Sequence, residues 1–394
     1  MDKYKDYEKV FHSSRAPFAY IDLSLLDINI ERTLLRAGDK KIRIATKSVR
    51  CLEVLKYLEL KLGEKANGFM CYSAQEAIWL CENGLDNLLI AYPSLDSESI
   101  RRISTLTSEG KKIYLMVDSQ EHVDYLEKLN LSEPLLLCLD MDLSTYLPGL
   151  NFGVFRSPLR GKSEFQKLLK RIKESGILKI KGLMGYEAQI AGVTDNQDKR
   201  IVMNIIISFL KKISLKKIPK IRESYLREIE KQNISLDFVN GGGTGSMEST
   251  RTEEGVTEIA VGSGFYSPTL FDSYKNFKYE PAAGFAIEIV RKPQENIYTC
   301  FAGGYVASGA VGVDKIPRPY LPTGCSLISN EMAGEVQTPV IYKGLENLGL
   351  GSKVYFRHAK AGELCERFNK VFLVRGEKVE REVNTYRGEG KFFG

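Results

Sequence analysis

The sequence is poor in the residues that mark several common classes of protein. Its 394 residues include one tryptophan, three histidines and seven cysteines, and no two cysteines are separated by only two residues. An odd number of cysteines without such pairs argues against a disulfide framework and against a structural zinc knuckle. We therefore expect a reducing compartment, the cytoplasm.

Long apolar runs are also missing. The first five residues, MDKYK, contain no apolar segment like that of a signal peptide, and no stretch is long enough to span a bilayer. These features predict a cytoplasmic protein without a membrane partner.

Charge of neither sign dominates, since 56 basic and 50 acidic residues give a net charge of +6. The densest basic cluster contains Lys211, Lys212, Lys216 and Lys217, and no aromatic platform for bases accompanies it. We interpret it as the solvated face of a helix and expect no nucleic-acid partner. A composition with 43% hydrophobic residues is that of a globular protein, and the length allows one large and one smaller domain.

Short apolar segments alternate with segments of helical periodicity over about 220 residues. We predict eight strands, nearly all separated by helices, at 42–47, 68–72, 87–91, 113–117, 135–141, 180–185, 236–240 and 258–261. Eight parallel strands with outer helices are typical of a TIM barrel. A doubly wound parallel sheet is the alternative architecture.

The pattern changes after Asp272, where glycine and proline divide short β-prone runs. We therefore predict an α/β fold with a TIM barrel over residues 25–270 and a C-terminal β domain over 271–394. An early strand at 19–23 precedes the barrel, so residues 1–24 are assigned to the β domain.

Lys47 ends the first predicted strand, in the run IRIATKS over residues 42–48. A charge at the end of a buried strand is costly unless a partner or solvent compensates it. One interpretation is a solvated lysine. The other is an amine that forms a Schiff base with the aldehyde group of a cofactor.

Two glycine-rich turns follow the last two predicted strands, at 240–246 and 262–266. Backbone N–H groups of such turns converge on anions, and the loops after strands seven and eight of TIM barrels commonly bind phosphate. The first turn alone also resembles part of a dinucleotide fingerprint, but residues 247–255 are too short and polar for the helix it requires. The predicted phosphate-binding residues are Gly242, Gly243, Thr244, Gly245, Gly262, Ser263, Gly264 and Tyr266.

The lysine and the glycine turns predict a single site. The first strand of a closed barrel neighbours the eighth, and all strands open at the same end. Pyridoxal 5′-phosphate (PLP) needs both an amine for its aldehyde and a cradle for its phosphate. We therefore predict PLP attached to Lys47. A barrel that acts on a phosphosugar without PLP is an alternative.

Four segments resemble those of the fold-type III PLP-dependent enzymes, the group of alanine racemase. The resemblance is closest to the D-threonine aldolase and D-serine dehydratase branch. The segments are the lysine strand 42–48, the sixth-strand motif 182–189 and the turns at 240–245 and 257–266. The resemblance covers roughly residues 18–375 and keeps the family's motif order. It implies the barrel, the β domain and a homodimer.

The resemblance also implies roles for single residues. Tyr186, at the end of the sixth strand, would contact the cofactor or act as an acid or base, although a packed tyrosine is the alternative. Arg156 lies in the region that supplies the family's charged contact to the pyridine nitrogen. Gln189 stands where the family often has a histidine, so this chain departs from the pattern there.

His358 matches a histidine with which this branch holds a divalent metal ion. The family's second ligand is usually two residues later, where this chain has Lys360, which cannot serve while it is protonated. Cys365 is therefore the predicted second ligand, with Glu363 as the alternative. A thiolate would favour zinc and a carboxylate would allow manganese.

The leading hypothesis is a PLP-dependent, metal-assisted lyase that acts on small β-hydroxy D-amino acids. It would cleave the Cα–Cβ bond, as D-threonine aldolase does, or deaminate its substrate, as D-serine dehydratase does. An amino-acid racemase that uses Lys47 and Tyr305 as its two bases is the main alternative. A PLP carrier without catalytic activity is a third hypothesis, which the additional β domain disfavours.

Overall fold

The computed structural model describes residues 3–197, 200–310 and 312–394. The chain divides into two compact units. The barrel unit comprises Thr33–Lys47, Leu58–Gly262 and Phe393–Gly394. The sheet unit comprises Met1–Arg32, Ser48–Tyr57 and Ser263–Phe392. The main division therefore falls between residues 262 and 263, whereas the predicted domain boundary lies between residues 270 and 271.

The strands of the described residues, numbered in chain order, are β1 (Phe18–Asp22), β2 (Lys41–Ala45), β3 (Ala66–Cys71), β4 (Leu88–Ile90), β5 (Ile113–Val117), β6 (Leu135–Asp140), β7 (Thr145–Leu147), β8 (Leu150–Phe152), β9 (Leu178–Gly185), β10 (Phe238–Gly241), β11 (Glu258–Val261), β12 (Ala283–Gln294), β13 (Ile297–Phe301), β14 (Arg318–Leu321), β15 (Cys325–Leu327), β16 (Gln337–Tyr342), β17 (Lys353–Arg357), β18 (Lys370–Arg375) and β19 (Lys378–Asn384).

The α-helices are α1 (Lys3–Val10), α2 (Leu23–Ala37), α3 (Leu52–Leu62), α4 (Ala74–Glu82), α5 (Ser97–Ser108), α6 (Gln120–Lys128), α7 (Lys162–Glu174), α8 (Ala188–Ala191), α9 (Ile201–Lys231), α10 (Met247–Thr250) and α11 (Ser263–Tyr266). Short 3₁₀ segments occur at Thr46–Ser48, Gly63–Lys65, Thr269–Ser273 and Val313–Lys315.

Eight parallel strands close into a barrel in the order β10-β11-β2-β3-β4-β5-β6-β9. These are the eight strands predicted from the sequence, with ends that differ by a few residues. The ring closes where β11 pairs with β2, in the register Val261↔Ile44. The TIM barrel is thus confirmed, and a doubly wound sheet, which stays open, is excluded.

Side chains of alternating character along β2 explain how the strand fits the barrel. Ile42, Arg43 and Ile44 are all fully buried. Successive side chains of a strand point to opposite faces, so the isoleucines share one face and Arg43 points to the other. The Arg43 guanidinium lies 4.5 Å from the ring centroid of Phe238. Phe238 belongs to a core cluster with Leu89, Ala91, Tyr114, Met116, Cys138 and Met184.

The charge of Arg43 is neutralised by Glu258 on β11. Arg43 Nε lies 2.5 Å from Glu258 Oε1 and Nη2 lies 3.0 Å from Oε2, with both side chains fully buried. Asn240 and Asn67 also donate their amide groups to this carboxylate. A buried charge is tolerated only when it is paired and hydrogen-bonded, and here both conditions hold. The ion pair joins the two strands that close the barrel.

A nine-stranded sheet organises the sheet unit, with the path β15-β16-β13-β12-β1-β18-β19 and with β14 and β17 beside it. The early strand β1 pairs with β12 and β18 of this sheet. Helix α1 was not predicted. It buries Tyr4 and Tyr7, and the next turn of chain buries Phe11.

Among the described residues, no helix combines the length and the hydropathy needed to cross a membrane. All seven cysteines are free thiols.

The buried ion pair generates a prediction about stability. Arg43→Met or Glu258→Gln leaves a buried charge without its partner, so each is expected to lower the free energy of unfolding by about 3–5 kcal/mol. The double variant is expected to lose less than the sum, because the two sites interact directly. Urea denaturation of the four proteins measures this coupling.

The matched control is Arg102→Met, which breaks an exposed pair with Glu82 at 3.2 Å in the same unit. Exposed pairs contribute about 0–1 kcal/mol. Additive losses in the double variant, or losses no larger than that of the control, would contradict the role assigned to the buried pair.

Candidate active site

Lys47 lies one turn beyond its strand. Strand β2 ends at Ala45, and residues 46–48 form a single 3₁₀ turn, so the predicted strand 42–47 ends two residues too late. Thr46 fixes this turn by donating its hydroxyl to the carbonyl of Met70, at 2.9 Å. The Lys47 side chain is exposed, and its Nζ donates to the hydroxyl of Tyr92 at 2.7 Å. Tyr92, which follows β4, was not predicted as a site residue.

The first glycine turn lies at the same end of the barrel as Lys47. It follows β10, which pairs in parallel with β11, and β11 pairs in parallel with β2. The carboxyl ends of these three strands are therefore neighbours, as the sequence predicted for a closed barrel. Gly262, which follows β11, is at this end as well.

The buried carboxylate of Glu187 accepts hydrogen bonds from the glycine turn and from the short helix that follows it. Its Oε2 accepts the N–H of Gly242 at 2.9 Å, and its Oε1 accepts the hydroxyls of Ser246, at 3.4 Å, and Thr250. Arg222, which is 1% exposed, lies 3.3 Å from this carboxylate and also forms an ion pair with Glu253. Glu187 was named in the sequence only as part of the sixth-strand motif. Its function as an anchor depends on residues 35 to 63 positions away.

The residues of the turn have different hydrogen-bond partners. Gly242, with a φ of +74°, donates its N–H to Glu187, and Gly243 donates its N–H to Ser246 Oγ at 3.1 Å. Thr244 and Gly245 carry the next N–H groups of the turn, and the Thr244 carbonyl is held by Arg36 at 2.7 Å. Of the predicted phosphate-binding residues, Gly242 and Gly243 thus shape the turn with their N–H groups.

Tyr186 packs over the turn. A Cβ at Gly243 would lie 3.3 Å from Tyr186 Cε2 and 3.1 Å from the Cβ of Ala191, so a larger residue would crowd this contact. The Arg156 guanidinium lies 5.3 Å from the centroid of the Tyr186 ring, within cation–π range. Burial raises the pKa of Tyr186 to about 12, and the charge of Arg156 opposes this shift. The structure therefore brings together Tyr186, Arg156 and the first glycine turn.

Carboxylates at the ends of neighbouring strands add acidic groups to this end of the barrel. Asp140 ends β6 and Asp118 follows β5. Burial, then the charge of Asp118, raises the pKa of Asp140 to about 8, while Arg156 acts in the opposite direction. His122 Nδ1 lies 3.0 Å from Asp118 Oδ1. Neither carboxylate was predicted, although a position at the C-terminal end of a barrel strand is the signal that would have found them.

Three predicted cofactor residues, Ser263, Gly264 and Tyr266, form helix α11 of the sheet unit. Ser263 Oγ lies 3.0 Å from Ser48 Oγ. Tyr266 is fully buried and donates its hydroxyl to the carbonyl of Val49 at 3.2 Å. Burial raises the pKa of this phenol well above its usual range. Their role in phosphate binding stays a prediction.

His358 and Cys365, the predicted metal ligands, are both buried in the sheet unit. His358 follows β17, and neither of its ring nitrogens makes a hydrogen bond within the described chain. Burial, followed by the charge of Arg357, lowers its pKa to about 3, and the nearby Ala283 backbone weakly opposes this shift. The Cys365 thiol is hydrogen-bonded with Tyr266.

The side chains beside His358 do not supply the ligands that a divalent cation needs. The small cavity that His358 lines is bordered by Lys360 and Arg367, which carry positive charge, and by Glu363. Both Glu363 oxygens already accept hydrogen bonds from Ser308. Cys365 is not among the described residues that border this cavity. We therefore derive no catalytic step through a metal ion.

The residues of the barrel unit do fit PLP. An exposed primary amine, an aromatic ring, a guanidinium and a glycine turn with backbone N–H groups lie at one end of the barrel. These are Lys47, Tyr186, Arg156 and residues 242–245. PLP binding requires an amine for the aldehyde and donors for the phosphate, and both are present.

Comparison with known proteins places the barrel in a family. Residues 21–266 match the family model described as "Alanine racemase, N-terminal domain". A 3-hydroxy-D-aspartate aldolase of Paracoccus denitrificans is 20% identical over 259 residues. That match covers 63% of this chain and spans only 59% of the length of the aldolase.

Solved structures resemble the whole chain. A D-threonine aldolase from Filomicrobium marinum has a TM-score of 0.78 and 17% identity, with 95% of each chain covered. A D-threo-3-hydroxyaspartate dehydratase from a Delftia species has a TM-score of 0.75 and 15% identity, with 95% of this chain and 98% of that one covered. A cysteine-to-alanine variant of that dehydratase is described as a metal-free form. At these identities the likeness establishes the fold, a TIM barrel with a β domain.

The contacts of Glu187 generate a prediction about the glycine turn. Glu187→Gln removes one acceptor for the turn, while Arg222 keeps its ion pair with Glu253. We expect faster hydrogen–deuterium exchange over residues 240–250 and a free energy of unfolding lowered by about 1–3 kcal/mol, because a buried donor of the turn loses its acceptor. Exchange mass spectrometry and urea denaturation measure the two effects.

The control for this change is Glu248→Gln, since Glu248 pairs with Arg36 at 2.5 Å but is 43% exposed. Its loss is expected to stay below about 1 kcal/mol. Equal effects of the two substitutions would show that Glu187 is not the anchor of the turn.

The pKa of Asp140 generates a prediction about pH. The pKa is about 8 in the folded chain against 3.8 for an ordinary aspartate. The folded state therefore retains a proton that the unfolded state loses, so this group makes stability fall as pH rises from about 4 to about 8. Asp140→Asn is expected to remove that fall, so its stability relative to the wild type increases with pH over this window.

Urea denaturation at several pH values measures this trend, with the exposed Asp39→Asn as the control. A difference between Asp140→Asn and the wild type that is constant across the window would contradict the assignment.

Proposed function

The chain belongs to the family of the alanine racemase N-terminal domain, and on that premise we propose that it is a PLP-dependent lyase acting on small β-hydroxy D-amino acids. The observation that carries the proposal is the amine of Lys47, held by Tyr92 at 2.7 Å in the turn that follows β2, the strand that pairs with β11. The proposal includes a homodimer, which the resemblance implies, and a cytoplasmic location, which the cysteine content favours.

The cofactor, when bound, supplies an electron-withdrawing ring that weakens a bond to the α-carbon of the amino acid. Lys47 would hold its aldehyde carbon before substrate arrives and would afterwards accept or donate a proton as a free amine. Tyr92 orients that amine, since its hydroxyl accepts a hydrogen bond from Nζ. Tyr186 and Arg156 would flank the ring.

The phosphate would lie against the first glycine turn at Thr244 and Gly245, which directly follow the two glycines whose N–H groups bind Glu187 and Ser246. A turn anchored by internal hydrogen bonds is pre-organised, so little conformational entropy is lost when an anion binds. Gly262, at the end of the next strand, would complete the cradle on the barrel side.

The substrate class follows from the proteins that this chain resembles. Their names describe aldolases or dehydratases of 3-hydroxyaspartate and threonine, which are amino acids with a 3-hydroxyl group. An aldolase would release glycine and an aldehyde, whereas a dehydratase would release a keto acid and ammonia. Both reactions remain within the proposal.

The proposal predicts the behaviour of a variant without the amine. The purified protein supplied with PLP is expected to show a visible absorption band and to retain the cofactor after borohydride reduction. Lys47→Ala is expected to lose the band and the lyase activity, because no amine remains to hold the aldehyde carbon. Absorbance and mass spectrometry of the peptide that contains residue 47 measure this.

The matched control is Lys41→Ala, which removes an exposed lysine at the start of β2. This variant should keep the visible absorption band. Activity is assayed on D-threonine, D-allo-threonine, D-serine and D-3-hydroxyaspartate. The proposal fails if none of the four gives a carbonyl product. Conversion to the L-enantiomer without such a product would identify a racemase instead.

A further inference from the structure

The cavity beside His358 in the sheet unit has features of a ligand site. His358 is 3% exposed, and both ring nitrogens are buried without a hydrogen-bond partner among the described residues. Leaving a buried polar group without a hydrogen bond is unfavourable, so a ligand or water is expected there. The cavity volume is about 10 Å³, room for roughly one water-sized atom.

The charged groups around this cavity select the sign of the ligand. Lys360 and Arg367 border it, whereas the charge of Arg357, which directly precedes His358, is paired with Asp272 at 2.8 Å. The carboxylate of Glu363 accepts hydrogen bonds from Ser308. The Ser308 N–H donates to its two oxygens at 3.0 and 3.1 Å, and the Ser308 hydroxyl also donates to it. Positive charge without a displaceable carboxylate repels a metal ion and attracts an anion.

The donors are suited to an oxygen atom. An ammonium has three donors, and Lys360 Nζ uses one on Ser308 Oγ at 3.1 Å. A neutral imidazole offers one N–H, and neither ring nitrogen has a partner in hydrogen-bonding geometry among the described residues, although the Ala283 backbone lies near the ring. A carboxylate oxygen would accept from both groups, and such charge-assisted bonds are among the stronger ones in proteins.

We propose that this cavity binds an anionic oxygen, of the kind that a carboxylate carries, between His358 and Lys360, and that it holds no divalent metal ion. Lys360 is the residue that decides this selectivity, because it places a cation where a metal site would need a ligand. The inference goes beyond the lyase activity and does not depend on Lys47.

The three histidines of the chain make a direct test possible, since His12 and His122 are the other two. Histidine labelled with ¹⁵N in both ring nitrogens is incorporated into the full-length protein, and His358→Gln identifies the signals of residue 358. Zinc chloride is expected to leave these signals in place. Sodium formate, the smallest carboxylate, is expected to shift them saturably, with sodium chloride as the control for ionic strength.

Substitutions at position 360 complete the test. Lys360→Gln is expected to abolish the formate shift, and Lys360→Arg, which keeps the charge, is expected to retain it. Lys360→Cys creates a histidine and a thiol two positions apart, so zinc is expected to shift the His358 signals and to be retained after dialysis. Thermal denaturation reports folding, and Lys360→Arg and Lys360→Cys decide the case if Lys360→Gln does not fold.

Two results would overturn the proposal. One is a wild-type protein that retains a metal ion which His358→Gln loses, or whose His358 signals shift with zinc. The other is a formate shift that is equally large in Lys360→Gln. Neither result touches the absorption band assigned to Lys47, so this proposal and the lyase proposal can fail independently.

Discussion

A buried ion pair between the first and last barrel strands is the constraint on which the rest of the site depends. Arg43 on β2 and Glu258 on β11 have no exposed surface, and each is costly to bury without the other. Their pairing favours the one strand order that closes the barrel. Closure makes β2, β11 and β10 neighbours, and it is this adjacency that brings the Lys47 turn and the first glycine turn to one end. The arrangement of the site thus depends on an ion pair that is itself fully buried.

A second buried charge pair shapes the site itself. Glu187, neutralised by Arg222, holds the glycine turn through backbone and hydroxyl donors. The turn is therefore fixed by groups beneath it, which leaves its outer side to a ligand. Tyr186 and Arg156 lie over the same turn, and Tyr92 holds the amine. The barrel unit thus combines a glycine turn held by hydrogen bonds with an oriented amine, and we propose that these two features hold a phosphorylated aldehyde cofactor.

Sequence periodicity predicted the secondary structure and the turns, which depend on local sequence. It did not predict the contacts between residues that are far apart in the chain. All eight barrel strands, the lysine and the glycine turns could be placed because apolar period and turn residues are local signals. Tyr92 and the anchoring function of Glu187 could not be predicted, because each acts on residues distant in the chain, whereas the position of Asp140 at the end of β6 was a local signal that was missed. Helix α1 was missed although Tyr4, Tyr7 and Phe11 recur at helical spacing, since polar residues between them masked the pattern. The sequence prediction placed the domain boundary at 270, close to Asp272, where the composition changes, and the division into compact units falls at 262.

A crystal structure of the protein purified with PLP tests the central claim most directly. If PLP is attached to Lys47, we expect continuous electron density from Lys47 Nζ into a pyridine ring, with the phosphate against Thr244 and Gly245 and the ring beside Tyr186. Density for the cofactor elsewhere, or a Lys47 side chain directed away from the glycine turn with no space for a ring between them, would contradict it.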